Sequence, residues 1–294
     1  MKLLEFLQEF GDESTIVAKL RAIGLLRNNY FCTKCGCEMT ERATEKRDRI
    51  MFVCRKRSCR TSKSIRAGSF FENAKLGLCD CMLFIHLWSK NYSEKLMLDD
   101  FSFSKHTVVD WSRFCRELCV ENYEIDDGVI GGPGTIVEID ETHIVRRKNN
   151  VGRSLSAGWL FGGIERRTDG QFRGFFKIVY NRSGPLLKHL IKQHVAAGTH
   201  IITDGWAGYT GLDRLGYIHS IVIHDENFIS PSDQDVNTQL IESNWGSLKR
   251  FIRAHGTNKG NFLVEYICEW IFRGQYENVY EKLLEVIRNK YTFI

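Results

Sequence analysis

Hydrophobic residues recur at helical spacing in three stretches of the first half of the chain. These stretches cover residues 1–28, about 78–91 and about 104–122. Ser104 precedes the third stretch and is a suitable N-terminal cap for it. Residues 30–70 lie between the first two stretches and lack this spacing. The pattern predicts a helical region that is interrupted by a small module of another kind.

After Gly134 the pattern changes to short apolar runs that are typical of strands. The predicted strands are 135–140, 159–164, 172–179, 200–203 and 217–223. The predicted helices are 185–197, one from about Gly205, 239–254 and 261–289. Three neighbouring strands followed by strands that alternate with helices predict an α/β domain with a mixed sheet flanked by helices. The Gly/Pro-rich stretch 126–134 is the predicted linker before this domain.

Composition changes this picture mainly through the cysteines. The 294 residues include ten cysteines, and the net charge is only +5. No apolar run approaches the ~20 residues of a membrane-spanning helix, so we expect no contact with a membrane. The first residues include early acids and no small-residue cleavage site, so we expect no secretory signal. Without export, metal binding or burial of the cysteines is favoured over disulfide bonds.

Half of the cysteines fall in one short stretch with the spacing of a metal site. Cys32 and Cys35 are separated by two residues, and Cys54 and Cys59 are separated by four. Two such knuckles can hold Zn²⁺ tetrahedrally, and a hairpin between them would make a zinc ribbon. Cys37 is an alternative ligand, and four buried free thiols are the alternative to a metal site. We predict a structural zinc ion.

A dense basic segment surrounds these cysteines. Residues 42–66 contain ten Lys or Arg residues and two acids, a local net charge of +8. Such a segment suits the phosphates of a nucleic acid, although a solvated basic face is the alternative. The candidate DNA-binding residues near the second knuckle are Arg55, Lys56, Arg57 and Arg60.

The helical block that follows, 78–122, could form a helix-turn-helix. Arg113 and Arg116 are spaced to share one face of its second helix. Two amphipathic helices that simply pack together would give the same pattern, and the sequence does not separate these two interpretations.

Three acids of the α/β domain lie where an active site would be built. Asp140 ends the first predicted strand, where alternation places it on the same face as Glu138. Asp204 ends a buried strand, and Glu242 lies early on a helix. Two strand-end aspartates and a helix glutamate can hold two divalent ions, and hard carboxylate oxygens suit Mg²⁺ or Mn²⁺. Two other acids compete with Asp140. Glu138 lies on the same strand face, and alternation places Glu141 on the opposite face.

These acids belong to longer stretches that resemble the DDE transposases of the Merlin superfamily and their bacterial insertion-sequence relatives, which carry an ISXO-like transposase domain. The matching stretches after Gly134 are Val-Glu-Ile-Asp-Glu-Thr at 137–142, Ile-Thr-Asp-Gly-Trp at 202–206 with Tyr209, His224 with Phe228, and Asn-Thr-Gln-Leu-Ile-Glu-Ser-Asn-Trp at 237–245 with Lys249 and Arg250. Those before it are Cys-Thr-Lys-Cys-Gly at 32–36, Phe52 with Cys54, and Ser-Ile-Arg-Ala-Gly-Ser-Phe-Phe at 64–71. The resemblance covers about residues 20–275.

The resemblance implies an RNase H-like catalytic core, the DDE integrase core, that cuts and joins DNA. Asp140, Asp204 and Glu242 would be the catalytic residues and would bind two Mg²⁺ or Mn²⁺ ions, with Asp140 bridging them. Water and then a DNA 3′-hydroxyl would be the successive nucleophiles in strand cleavage and strand transfer. The second cysteine knuckle has four residues between its cysteines and so departs from the bacterial form, which has two residues between them.

The same resemblance implies further residues and partners. Lys249 and Arg250 would contact DNA phosphate. His224 is a candidate accessory residue because the family has a His near the site, and Asn244 is another because some relatives carry Asn in place of the third acid. The partners would be the terminal inverted repeats of a transposon and target DNA, bound by a homo-oligomer. A eukaryotic host, which the cysteine-rich divergence from bacterial forms favours, would place the protein in the nucleus. A bacterial host would place it in the cytoplasm or nucleoid.

The predicted organisation therefore has five segments. They are an N-terminal helical segment 1–29, a basic zinc ribbon 30–72, a helical candidate helix-turn-helix region 73–125, an RNase H-like catalytic domain 135–255 and a C-terminal helical tail 256–294. The hypothesis that follows is a DNA transposase. The alternatives are a domesticated or inactive DNA-binding protein derived from a transposase, and a nuclease or resolvase that cuts without strand transfer.

Overall fold

The chain divides into two units in the computed structural model, which describes residues 1–45, 47–125, 128–144, 158–222, 236–255 and 262–293. The first unit combines Met1–Cys119 with Asn278–Ile294, and the second is Val120–Glu277. The segment 256–294, predicted as one helical tail, thus contributes to both units. The five predicted segment boundaries themselves stay predictions.

Most of the predicted helices and strands are present in the two units. In chain order the helices are α1 (Leu3–Phe10), α2 (Ile16–Ala22), α3 (Leu78–Ser89), α4 (Glu94–Asp100), α5 (Lys105–Ile125), α6 (Gly184–His194), α7 (Gln239–Ala254), α8 (Leu263–Gln275) and α9 (Val279–Lys290). The strands are β1 (Met39–Ala43), β2 (Ile50–Cys54), β3 (Ser62–Ser64), β4 (Ile136–His143), β5 (Trp159–Glu165), β6 (Gly174–Val179), β7 (His200–Asp204) and β8 (Ile218–Val222). Within the described ranges, no helix has both the length and the apolar character that crossing a bilayer requires.

The first unit contains a three-stranded sheet of antiparallel neighbours in the order β1-β2-β3, as expected for a hairpin between the two cysteine knuckles. Its helices form an aromatic core in which the Phe6 ring of α1 stacks on His86 of α3 at 4.5 Å and meets Tyr280 of α9 edge-on at 6.0 Å. This contact explains why α9 belongs to the first unit. The Ser104 side chain accepts a hydrogen bond from the Thr107 N–H at 3.1 Å and caps α5 as predicted.

The two arginines of α5 that are spaced to share a face differ in exposure. The Arg113 side chain is 53% exposed, but Arg116 is only 8% exposed, so the two do not present a common face to solvent. The spacing of three residues lies at the border between the buried and the exposed face of a helix, and the sequence alone did not separate the two sides. The helix-turn-helix itself stays a prediction.

The second unit is built on a five-stranded mixed sheet with the order β6-β5-β4-β7-β8. Strand β5 is antiparallel to β4 and β6, whereas β4, β7 and β8 are parallel. One face packs on α6 through residues such as Val137, Ile139 and Ile191, and the other packs on α7 and α8 through Phe176, Ile241 and Ile271, among others. The predicted mixed sheet flanked by helices is therefore confirmed.

Three details of this unit differ from the sequence prediction. Strand β4 continues to His143, so Asp140 lies inside the strand and not at its end. The helix predicted from about Gly205 is replaced by two short 3₁₀ turns, Ala207–Tyr209 and Asp213–Leu215. The helix predicted at 261–289 is two helices, α8 and α9, because the chain becomes extended at Tyr276. Glycines explain why no helix forms after Gly205, since glycine favours turns over helix continuation.

A buried carboxylate joins the sheet to the start of α7. Glu138 of β4 is fully buried, and its Oε1 accepts a hydrogen bond from Arg166 Nε at 2.6 Å. Its Oε2 accepts a hydrogen bond from the Ile241 N–H in the first turn of α7 at 2.9 Å. Arg166 also donates to the backbone and side-chain oxygens of Asn237, just before the helix. The position of α7 over the sheet therefore depends on this carboxylate.

We expect Glu138→Ala to lower the free energy of unfolding of the second unit by about 3–5 kcal/mol. The substitution removes the carboxylate that pairs with Arg166 at 2.6 Å and takes away the acceptor of the Ile241 N–H. Urea unfolding followed by circular dichroism measures the change. The control is Asp169→Asn, which weakens a half-exposed ion pair with Arg167 and should cost less than about 1 kcal/mol. Equal losses in both variants would contradict the role of Glu138.

Candidate functional site

The four predicted zinc ligands of the first unit come together. Cys32 Sγ lies 3.6 Å from Cys59 Sγ, and Cys35 Sγ lies 3.4 Å from Cys54 Sγ. All four sulfur atoms lie within 4.8 Å of one another. Tetrahedral zinc with Zn–S bonds of about 2.3 Å requires sulfur separations of about 3.8 Å, which this cluster brackets. The four cysteines could therefore bind zinc.

Local backbone bonds shape the two knuckles. In the first, the Gly36 N–H donates to the Cys32 carbonyl at 2.8 Å, and Gly36 has a φ of +70°, which favours glycine. In the second, hydrogen bonds from Thr61 lower the pKa of the Cys59 thiol to about 6, which favours the thiolate that zinc requires. Cys37 lies outside the group of four. The geometry therefore favours Cys59 over Cys37 as the fourth ligand.

The longer second knuckle carries the predicted DNA-binding residues. Three of these residues lie inside the knuckle and one follows it, and all four are exposed: Arg55, Lys56, Arg57 and Arg60. Arg55 lies 3.8 Å from Glu38, at the surface. Arg66 also belongs to the basic segment of the sequence, but it is buried and paired with Asp48. The second knuckle therefore contributes exposed cations to the surface of the first unit, whereas Arg66 does not.

In the second unit, Asp140 and Asp204 lie side by side. Strands β4 and β7 are parallel neighbours, with Glu138 paired to Ile202. The same register carried two residues further places Asp140 level with Asp204. Partners in a sheet point to the same side, so both carboxylates lie on the face that α7 covers. These two predicted residues are thus brought together.

A side chain of α7 holds the Asp140 carboxylate. Trp245 Nε1 donates a hydrogen bond to Asp140 Oδ2 at 2.9 Å. Burial raises the pKa of Asp140 to about 6, hydrogen bonds from Trp245 and the backbone oppose the rise, and the charges of Glu141 and Asp204 add to it. Asp204 Oδ1 accepts the Trp206 N–H at 3.0 Å. Two carboxylates of fixed position are a donor set that suits a hard divalent cation.

The third predicted acid stands apart from this pair. Glu242 is exposed on α7, and its Oε1 accepts a hydrogen bond from the Thr238 hydroxyl at 2.8 Å. Among the described residues, the cysteine cluster is the one group of three or more His, Cys, Asp or Glu side chains close enough to share a metal ion. The structure therefore places Glu242 on the helix that covers Asp140 but does not bring the three acids into one cluster.

The remaining predicted residues are placed as follows. Asn244 donates to the Leu240 carbonyl of its own helix at 2.8 Å, as an ordinary α7 residue. Lys249 is half-buried and Arg250 exposed further along α7. His224 lies outside the described residues. Of the competing acids, Glu138 is occupied by Arg166 and α7, so it is not free to bind a metal ion.

Glu141, the other competing acid, takes part in a separate contact network on the opposite face. It accepts a hydrogen bond from the Tyr209 hydroxyl, and its Oε1 lies 3.4 Å from Arg182 Nη1. Burial raises the pKa of Glu141, and the bond from Tyr209 opposes this. The Arg182 guanidinium lies over the rings of Trp159, at 3.8 Å, and Trp206, at 4.5 Å.

Sequence reasoning did not assign the bond from Trp245 to Asp140 or the contacts of Glu138. The sequence does suggest that Trp245 lies near the predicted acids, because it follows Glu242 by three residues and so lies near it on the helix. Arg166 offers no comparable signal, since its contact with Glu138 joins residues that are far apart in the chain.

Comparison with known proteins adds one finding. A model of the ISXO2-like transposase domain matches residues 125–275, just over half of the chain. The matched range includes Asp140, Asp204, Glu242 and nearly the whole second unit. No curated protein matches the chain significantly.

We expect the purified chain to contain one zinc ion and to lose it when Cys59 is replaced by serine. The sulfur of Cys59 belongs to the cluster, and a small module with little core depends on its metal for folding. Elemental analysis of the protein measures the content. Cys37→Ser is the matched control and should retain zinc, because Cys37 lies outside the cluster. If Cys37→Ser loses zinc and Cys59→Ser retains it, Cys37 and not Cys59 is the fourth ligand.

We expect Trp245→Phe to raise the pKa of Asp140 above about 6, because the indole N–H stabilises the charged carboxylate. NMR titration of carboxyl-labelled aspartate in metal-free protein measures it. Trp270→Phe is the control, since the Trp270 N–H donates to Ser247 and not to Asp140. An unchanged or lower Asp140 pKa in Trp245→Phe would show that the bond is not made in solution.

Proposed function

The chain belongs to the family of ISXO2-like transposase domains, and from this premise we propose that it cleaves DNA at the ends of a transposable element and joins those ends to target DNA. The observation that carries the proposal is the pair of level carboxylates, Asp140 and Asp204, on neighbouring parallel strands inside the matched range. Glu242, on the helix above them, is proposed as the third catalytic acid.

The donor chemistry of this edge fits Mg²⁺ or Mn²⁺. Asp140 and Asp204 offer hard oxygen atoms, and the negative charge of Asp204 adds to the raised pKa of Asp140. A cation between the two carboxylates would relieve this repulsion. When bound, a pair of such ions would activate the attacking oxygen and stabilise the leaving oxygen of a phosphodiester. Asp140, Asp204 and Glu242 are the residues proposed to hold them.

The reaction itself needs two displacements at phosphorus. In cleavage, water attacks a phosphodiester, a P–O bond forms, the bond to the 3′-oxygen breaks, and that oxygen leaves as a 3′-hydroxyl. In strand transfer, this hydroxyl attacks a phosphodiester of the target and expels the target's own 3′-oxygen. The protein contributes fixed carboxylates to both steps. Trp245 orients Asp140, and the Trp206 N–H orients Asp204.

The architecture supports an RNase H-like core for this domain. The central strand β4 carries Asp140 and has β5 antiparallel on one side and β7 parallel on the other, with helices on both faces. The carboxyl ends of parallel strands are where α/β proteins place their ligands. Asp204 ends β7 and so lies at this edge.

DNA binding by the family in general supports a role for the basic residues of both units. We propose that Arg55, Lys56, Arg57 and Arg60 bind phosphates beside the zinc site, where all four are exposed. Lys249 and Arg250 are proposed to bind phosphates beside the catalytic acids. A homo-oligomer that binds two DNA ends, and location with the host's DNA, belong to the same proposal.

We expect wild-type protein with Mg²⁺ to transfer strands from DNA that carries the element's terminal repeats, and Asp140→Asn, Asp204→Asn and Glu242→Gln to lower the rate more than about 100-fold. Even groups that only support metal ligands are worth about 10–100-fold, and these residues are the proposed ligands. Gel analysis of cleaved and joined products measures both steps. Asp213→Asn, in the 3₁₀ turn that precedes β8, is the control and should keep full activity.

The outcomes separate the proposal from its alternatives. Wild type that cuts but joins no ends would indicate a nuclease or resolvase. Wild type that binds the repeats without cutting them would indicate a DNA-binding protein without catalysis. Full activity in Glu242→Gln but not in Asn244→Ala would move the third role to Asn244.

A further inference from the structure

An exposed indole lies beside the proposed catalytic aspartates. Trp206 is 41% exposed, although exposing so large an apolar ring to water is unfavourable. Its backbone N–H donates to Asp204 at 3.0 Å, so the ring begins two residues from a proposed catalytic carboxylate. Trp is enriched at binding interfaces because its ring offers a large apolar face and its N–H a polar group.

The indole is held in one orientation. Its Nε1 donates to the Arg182 carbonyl at 3.4 Å, and the guanidinium of the same arginine lies over its ring. Gly208 lies against the same nitrogen-bearing edge of the ring, and a Cβ there would come within 2.7 Å of the indole nitrogen. The absence of a side chain at Gly208 therefore lets the ring take this position. A ring held in this way loses little entropy on binding.

The arginine under the indole is itself fixed. Arg182 lies over Trp159 on one side, and Glu141 pairs with its guanidinium. The Glu141 carboxylate is buried and also accepts the Tyr209 hydroxyl. The His143 ring lies against Trp159 in a tilted arrangement, with the ring centroids 3.9 Å apart. These contacts form a rigid group, which we name the Trp206 platform: Trp206, Arg182, Trp159, Glu141 and Tyr209.

The charge of the platform indicates what it would bind. Glu141 neutralises Arg182, and Asp204 adds negative charge nearby, so the platform is a poor site for a phosphate. Its exposed part is an aromatic ring. Nucleobases stack on such rings, and this contact does not depend on a net positive charge.

We propose that Trp206 stacks on an unpaired base of the DNA strand whose phosphodiester lies at Asp140 and Asp204. This inference rests on the proposed function and adds to it a contact with the base next to the reacting phosphate. A base that leaves the duplex stack needs a new stacking partner, and an indole at the edge of the site supplies one. The phosphates of the same strand would be bound by the basic residues and the cations, not by the platform.

The test is photocrosslinking of the full-length protein to a short single-stranded thymidine oligonucleotide that carries 5-iodouracil, with Mg²⁺ present. Mass spectrometry locates the crosslinked residue. We expect a crosslink at Trp206, a yield at least about tenfold lower in Trp206→Ala, and partial recovery in Trp206→Phe, since base stacking on an aromatic ring is worth about five- to a hundredfold in affinity. Circular dichroism checks that each variant is folded.

The control is Phe262→Ala, which removes an aromatic ring of equal exposure from the second unit and should leave the yield unchanged. No crosslink at Trp206 in wild type, or an equal total yield in Trp206→Ala, would overturn the inference. A changed oligomeric state in Trp206→Ala with unchanged crosslinking would assign the ring to a protein contact instead. Strand transfer by a wild type without this crosslink would overturn the inference alone. The crosslink without strand transfer would overturn only the proposed function.

Discussion

The hydrogen bonds of Glu138 are the constraint on which the second unit depends. A fully buried carboxylate is costly unless every charge and lone pair has a partner. Here Arg166 supplies the charge and the first turn of α7 supplies an N–H, so the cost is met only when α7 sits at one place on β4. Glu138 therefore acts on position more than on net stability. It selects one docking of the helix among those that an apolar interface alone would allow.

This docking determines the state of Asp140. With the start of α7 placed by Glu138, Trp245 falls one turn further along and reaches the carboxylate two residues further along the strand. Gly162 of β5 makes the approach possible, because a Cβ there would lie 2.8 Å from the indole of Trp245. One face of β4 thus carries two acids, Glu138 and Asp140, with different roles. The Glu138 carboxylate is engaged by Arg166 and α7, whereas the Asp140 carboxylate accepts a hydrogen bond from Trp245 and lies beside Asp204.

The sequence was informative wherever a feature depended on neighbours in the chain. Alternation along β4 separated Glu138 and Asp140 from Glu141, and the cysteine spacing identified four sulfur atoms that the fold brings together. Features that depend on distant residues were not predictable in the same way. The pairing of Glu138 with Arg166 requires knowledge of the β4–β5 register, and the burial of Arg116 requires knowledge of what packs on α5. The helix expected after Gly205 failed because glycines at 205, 208 and 211 weaken a helix more than its apolar residues support one.

The four-residue gap of the second knuckle has a physical consequence for the first unit. A two-residue gap would leave room for a turn alone, whereas the longer loop from Arg55 to Ser58 adds exposed positions, and three of them are cationic. Four thiolates around one Zn²⁺ carry a net negative charge, so cations that surround the cluster lower its electrostatic cost. The same cations face solvent, where they can bind phosphate. The longer gap therefore places beside the four cysteines cations that would stabilise bound zinc and that are exposed for the proposed contacts with phosphate, and a loop that served only the metal would not need this charge.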